Sequence, residues 1–188
     1  MSTPRPMYET ERLTVRHIVD DDVDAMQAVY GDAEGMRWVD DGDTMGHAGC
    51  AEWIRITHRN YRERGYGMSA VVLKETGDVV GFCGVVHPGG QPEPEIKYAF
   101  LRAWWGRGLA TETVRGMIDY ARNRHGIRRI IATTYPQNYP SHNVLRKAGM
   151  RDAGVRPDGD GTNTQYFVWT ADDVPPSAPP GAAAGSEG

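Results

Sequence analysis

Cysteine is scarce in this chain, with two in 188 residues. Cys50 and Cys83 stand far apart and show no metal-ligand spacing, so reduced structural thiols are expected rather than a bridge or a metal site. The six histidines include no His-Glu-x-x-His and no close pair, and no metal is expected. No apolar run approaches the ~20 residues that span a bilayer, and the N-terminus lacks a signal-peptide core. The expectation is a cytoplasmic protein with no membrane partner. An excess of positive charge is missing as well. The net charge is -4, the pI is about 5.8, and both signs are dispersed, which argues against nucleic acid as a partner. Internal repeats are absent, and the length suits one domain with a sizeable core.

What is present centres on residues 96–150. The strand-like run Ile96-Lys97-Tyr98-Ala99-Phe100-Leu101 leads through Trp104 and Trp105 into Gly106-Arg107-Gly108, and an amphipathic helix follows. Closely spaced glycines leave backbone N–H groups uncovered, and the helix adds its positive end, so an anion should bind there. Nucleotide folds share this outline, but the dinucleotide fingerprint needs a third glycine where Thr111 stands. The P-loop needs Gly-Lys-Ser/Thr, which the segment lacks.

Trp105-Gly106-Arg107-Gly108-Leu109-Ala110 resembles motif A of the GNAT (Gcn5-related N-acetyltransferase) superfamily, Gln/Arg-x-x-Gly-x-Gly/Ala, with Trp105 departing at the first position. With Thr111 and Glu112 added, the form is similar to the RimJ/RimL-like branch. A second block, Asn138 through Ser141, Leu145, Lys147 and Gly149 to Met150, resembles motif B, and Glu11 to Arg16 resembles the branch's opening strand. The resemblance spans about residues 8–170. It implies an α/β fold with a mixed, strongly twisted sheet of six to seven strands, helices on both faces, and a splay between two central parallel strands.

Along the chain, residues 1–7 read as a tail, 8–173 as the domain, and 174–188, rich in Pro, Ala and Gly, as disordered. Leu13 to Ile18 alternates as a strand, and Asp20 to Asp22 caps a helix carrying Val23, Met26 and Val29. Residues 31–49 read as a loop or short helical turns around Trp38. A helix follows from His47 to Arg64, with Ala51, Ile54 and His58 on one face and Gly65 as its stop. Met68 to Leu73 and Val79 to Val86 form a hairpin, in which Gly81 and Gly84 predict a bulge or close backbone approach. The helix from Thr111 to His125 buries Val114, Met117, Ile118 and Ala121, and connects strand Glu95 to Leu101 in parallel to strand Arg129 to Thr134. Met150 to Val155 and Gln165 to Trp169 pair as a last hairpin.

The resemblance implies acetyl-CoA as donor, its diphosphate held by Trp105, Gly106, Arg107, Gly108, Leu109, Ala110 and Thr111. It places the pantetheine arm along Tyr98, Ala99, Phe100 and Leu101, with Asn138 and Ser141 beside it. Attack by an amine requires loss of a proton to a carboxylate, directly or through water. The resemblance makes Glu95 the candidate, against a solvent-exposed strand-end charge; Asp40, Asp41 and Glu93 are weaker candidates. The acid that many members carry as Tyr is Leu145 here. The resemblance passes proton donation to Ser141, which the residue pattern alone reads as a helix cap. Glu112 reads as a complement to the helix dipole. Trp38, with Glu95, is assigned to the acceptor side. The implied reaction is direct acetyl transfer to a primary amine in a ternary complex, a protein N-terminal amine first. Open alternatives are a polyamine, amino acid or antibiotic acceptor, and a non-catalytic acyl-CoA sensor. The chain is expected to act as a monomer or homodimer.

Overall fold

In the computed structural model, residues 4–39 and 42–173 are described. Asp40, Asp41 and the tail at 174–188 lie outside them. The strands are β1 (Pro6–Glu9), β2 (Leu13–His17), β3 (Met68–Leu73), β4 (Val79–Val86), β5 (Glu95–Phe100), β6 (Arg129–Thr134), β7 (Arg151–Pro157) and β8 (Asn163–Thr170). The helices are α1 (Val23–Tyr30), α2 (Ala33–Met36), α3 (His47–Arg64), α4 (Leu109–His125) and α5 (Tyr139–Lys147). The strands form one eight-stranded sheet in the order β1-β2-β3-β4-β5-β6-β8-β7. That exceeds the expected six to seven. Pro6 and Met7, read from the sequence as tail, belong to β1.

Helices cover both faces. Leu13 and Val15 point from β2 into a core with α4 and α5, where Val114, Met117, Ile118, Ala121 and Leu145 pack. On the other face Ile18, Ala70 and Phe82 meet Met26, Val29 and Tyr30 of α1 and Cys50 and Ile54 of α3. Period-two alternation in the strands and a stripe three to four residues apart in the helices produce these two layers. The buried face of α3 is Cys50, Ile54 and Thr57, with Ala51 and His58 beside it. Asp22 does not cap α1 with its side chain. It is buried and takes the Arg16 guanidinium on both oxygens, at 2.7 and 2.8 Å, because an ionised group removed from water must find a partner.

Gly84 sits opposite Met68 in the β3–β4 pair, where the backbones approach too closely for a side chain. A Cβ there would lie 2.5 Å from Met68 Cα and collide with the Gly67 carbonyl. Since backbone cannot rotate out of the way, Gly84→Ala is expected to cost about 3 kcal/mol of unfolding free energy. Urea denaturation monitored by tryptophan fluorescence measures this. A loss below about 1 kcal/mol would show that the sheet relaxes around the methyl group.

The position of the last strand in sequence shapes the site. β8 inserts between β6 and β7, pairing antiparallel with β6 from Arg129↔Thr170 to Thr134↔Gln165. β6 is thus fully occupied on its β8 side. Toward β5 it pairs at one position, Glu95↔Ile131, where the Ile131 N–H donates to the Pro94 carbonyl at 2.9 Å.

Candidate active site

Beyond that single pair the two parallel strands separate. The gap opens into a cavity of about 450 Å³ walled by Ile96 to Phe100 of β5 and Ala132 to Thr134 of β6. Strand residues in such a gap present backbone groups that an extended ligand can pair with. Trp104, Trp105, Gly106 and the first turn of α4 also line the cavity, as do Gly35, Trp38 and Val39.

At the α4 end, Gly106 and Gly108 adopt φ of 71° and 78°. These are left-handed angles that side-chain-bearing residues rarely take. Gly108 is the N-cap of α4 and contributes no side chain to cap it. Among the described residues, nothing accepts from the first-turn amides of Leu109, Ala110 and Thr111. A Cβ built on Gly106 would meet nothing within 4 Å. Open space, unpartnered amides and the positive helix end together fit a diphosphate.

The N-terminal hairpin holds this turn in place. Glu112 Oε1 accepts from Thr10 Oγ1 at 2.5 Å and from the Arg12 amide at 2.9 Å, and the Arg12 guanidinium reaches Glu112 Oε2 at 2.6 Å. Arg12 also donates to the Arg107 carbonyl at 2.8 Å. Glu112 therefore latches β1 and β2 to the cradle rather than acting on the helix dipole alone. Burial opposes its ionisation, but the bonds from Thr10 and Arg12 and the Arg12 charge outweigh that and hold its carboxyl below the ordinary value. A lowered folded value gives stability that is complete above the unfolded carboxylate range, about 4.3, and lost as pH falls through the folded value. Glu112→Gln should thus be less stable than the parent near neutral pH, with the difference shrinking below about pH 4. Urea titrations at neutral pH and near pH 3 test it; an undiminished difference in acid would contradict the latch.

On the cavity wall, Tyr98 and Ser141 meet. Their hydroxyl oxygens lie 2.7 Å apart. Burial raises the Tyr98 phenol, more than its hydrogen bond with Ser141 lowers it, so the phenol stays protonated at neutral pH. Either hydroxyl can donate in this contact; with Tyr98 as the donor, the serine O–H is left to point at the cavity. Ser141 stands in the first turn of α5, whose N-cap is Asn138; the Asn138 Oδ1 accepts from the Ser141 amide at 3.3 Å.

Glu95, the first residue of β5, is 3% exposed, which removes the reading of a solvated strand-end charge. Its Oε1 accepts from Thr133 Oγ1 at 2.5 Å and lies 3.1 Å from Lys97 Nζ, while Oε2 accepts from Gln91 Nε2 at 3.2 Å. Thr133 and Lys97 line the cavity and Glu95 stands just behind them.

The model of the acetyltransferase (GNAT) domain matches residues 12–151. The chain belongs to the GNAT acetyltransferase family. YkkB of Bacillus subtilis is 38% identical over 103 residues, 53% of this chain and 59% of YkkB. The chain therefore spans less than two thirds of that relative. The N-acetyltransferase p20 of Bacillus licheniformis is 28% identical over 152 residues, 79% of this chain and 84% of p20. Among solved structures, RimL, the ribosomal L7/L12 alpha-N-protein acetyltransferase in complex with coenzyme A, superposes with a TM-score of 0.76 at 15% identity. The match covers 90% of this chain and all of that one.

For a GNAT acetyltransferase, the arrangement brings together most of the residues singled out from the sequence. Tyr98, Ala99, Phe100, Trp105, Gly106, Gly108, Leu109, Ala110, Thr111, Asn138, Ser141 and Trp38 all face the cavity. Leu101 turns toward the α1–α3 core. Arg107 stacks its guanidinium over Trp104, 4.7 Å from the ring centroid. Trp105 donates its indole N–H to the Phe100 carbonyl at 2.9 Å, ending β5. Trp38 packs edge-on against Tyr135. Glu93 is engaged with Arg129 at 2.9 Å, on the surface. Sequence reasoning missed the Tyr98–Ser141 contact, the Arg12–Glu112 latch and the presence of Lys97 in the wall. Only the first left a trace, since Tyr98 alternates with Ile96 and Phe100 toward the α5 side.

Proposed function

We propose that this GNAT domain is an acetyl-CoA-dependent N-acetyltransferase acting by direct attack of a primary amine. The observation that carries the reading is the unpartnered first turn of α4 at the end of the β5–β6 gap, a cradle for a diphosphate continuous with a slot for an amide-bearing arm. Gly106, Gly108, Leu109, Ala110 and Thr111 would hold the phosphates through backbone amides, and Tyr98 to Phe100 would pair with the arm. Bound there, acetyl-CoA supplies an acetyl thioester. Asn138 orients Ser141 by capping α5, and Tyr98 holds the Ser141 hydroxyl as a donor to the departing sulfur. The amine's proton passes to Glu95 through the Thr133 hydroxyl or a water, since the carboxylate stands one layer behind the cavity.

A direct route is favoured over an acyl-enzyme because both cysteines are buried and free, burial raises both thiols, and neither lines the cavity. A protonated, secluded thiol is a poor nucleophile. The first acceptor class we propose is a protein N-terminal amine, supported by the RimJ/RimL-like form of the residues from Trp105 to Glu112 and by the RimL-like topology. A small amine is the second. Thiol release from acetyl-CoA, measured with N-terminal peptides and with small amines in parallel, tests this. Release stimulated by peptides supports the first class, and release by small amines alone replaces it. No stimulation by either, with acetyl-CoA still bound, would reject turnover in favour of sensing.

A further inference from the structure

The chain contains three lysines, Lys74, Lys97 and Lys147, among its 21 basic residues. Lys74 is remote from the cavity, its Nζ donating to the Thr10 carbonyl at 2.7 Å and lying 3.2 Å from Glu9. Lys147 ends α5 and borders the cavity. Lys97 is different in kind. It stands on β5 two residues past the one position where β5 and β6 are paired, its side chain is one-quarter exposed, and its amine is 3.1 Å from the buried Glu95 carboxylate. It also forms the wall shared with a second cavity of about 590 Å³ between α3 and the β4–β5 connection. Lys97 thus lines the slot proposed for the donor arm, with its amine held 3.1 Å from a carboxylate just behind that wall.

We infer that Lys97 is a self-acetylation site, modified by the acetyl thioester bound in the protein's own cavity. The inference rests on acetyl-CoA being the donor. Glu95 takes one proton from the Lys97 ammonium, and the freed lone pair forms the amide C–N bond. The thioester C–S bond breaks, coenzyme A leaves as the thiolate, and one of the two remaining nitrogen protons passes to it while the other stays on the amide. The products are Nε-acetyl-lysine and free coenzyme A, with no oxidant or further reactant required. The modification removes the cation from the wall between the two cavities and leaves Glu95 with Thr133 and Gln91 as partners. It needs no second protein molecule, because holding amine and thioester together makes the step intramolecular.

The test is to incubate the full chain with trideuteroacetyl-CoA, map the label by peptide mass spectrometry, and measure acetyl-CoA affinity by calorimetry on the same samples. Label should enter Lys97 roughly tenfold or more faster than Lys74 or Lys147, and urea-unfolded protein should lose that preference. Lys97→Arg should lack one acetyl group by intact mass. Glu95→Gln should slow labelling at Lys97 about tenfold while binding acetyl-CoA as the parent does. Equal labelling of the three lysines, or a preference that survives unfolding, would mean ordinary chemical acetylation and overturn the inference. Binding heat without label at Lys97 would overturn it and leave the donor site standing. Absence of both heat and label would remove the inference and the donor site together.

Discussion

Gly108→Val is expected to weaken coenzyme A binding by about a hundredfold or more, with a loss of about 1–3 kcal/mol in unfolding free energy. The backbone at this position has φ of 78°, which a β-branched residue takes only with strain. Relief of that strain rotates the peptide at the N-cap of α4 and turns the first-turn amides away from a common point. Losing two charge-assisted hydrogen bonds at about 1.5 kcal/mol each corresponds to the hundredfold. The stability loss comes from the backbone strain and not from a clash, because a Cβ at Gly108 has one near neighbour, Arg12 Nη2 at 3.5 Å, on a side chain that is 43% exposed. Calorimetric titration of both proteins, with urea denaturation as the control, measures the two quantities. Parent-like affinity would show that the ligand does not use these amides.

The second large effect concerns turnover. Ser141→Ala is expected to lower kcat by about a hundredfold with acetyl-CoA affinity nearly unchanged, the scale on which a positioned proton donor acts. Tyr98→Phe removes the group that holds the serine hydroxyl, so it should lower kcat less and add little to Ser141→Ala in the double variant. A purely structural role for Tyr98 predicts the reverse pattern: independent, additive losses accompanied by lower stability. Steady-state kinetics of the four proteins, with thermal melts, distinguish these outcomes. Full kcat in Ser141→Ala would mean that the thiolate departs without help from this side chain.

How much of this was readable beforehand depended on distance along the chain. The cradle was legible because strand, paired glycines and helix are contiguous, and the stripe of Val114, Met117, Ile118 and Ala121 follows from helical period alone. The helix from His47 to Arg64 agreed to the residue, since Gly65 supplies a left-handed stop. The close approach at Gly81 and Gly84 was likewise a local inference. What depends on tertiary neighbours was not legible. Glu112 is paired with a residue 100 positions earlier, and Asp22 turns its side chain to Arg16 and the Val19 amide rather than to the first turn of α1. Glu95 looked as much like a surface charge as a base until Thr133, on the next parallel strand, covered it. The Tyr98–Ser141 contact joins a strand to a helix 43 residues later, and neither residue type alone announces the pairing. The strand count fell short because β1 is a strand only through its pairing with β2, and half of it read from the sequence as tail.

The central claim is that uncovered amides at the start of α4 and the edges of the β5–β6 gap are the donor site. Amide hydrogen exchange, read residue by residue with and without saturating coenzyme A, tests it most directly. Leu109, Ala110 and Thr111, which have no acceptor within the described chain, should exchange quickly in the free protein and slow together with Tyr98 to Phe100 when coenzyme A is present. Unchanged exchange at these amides in the presence of bound ligand would contradict the account.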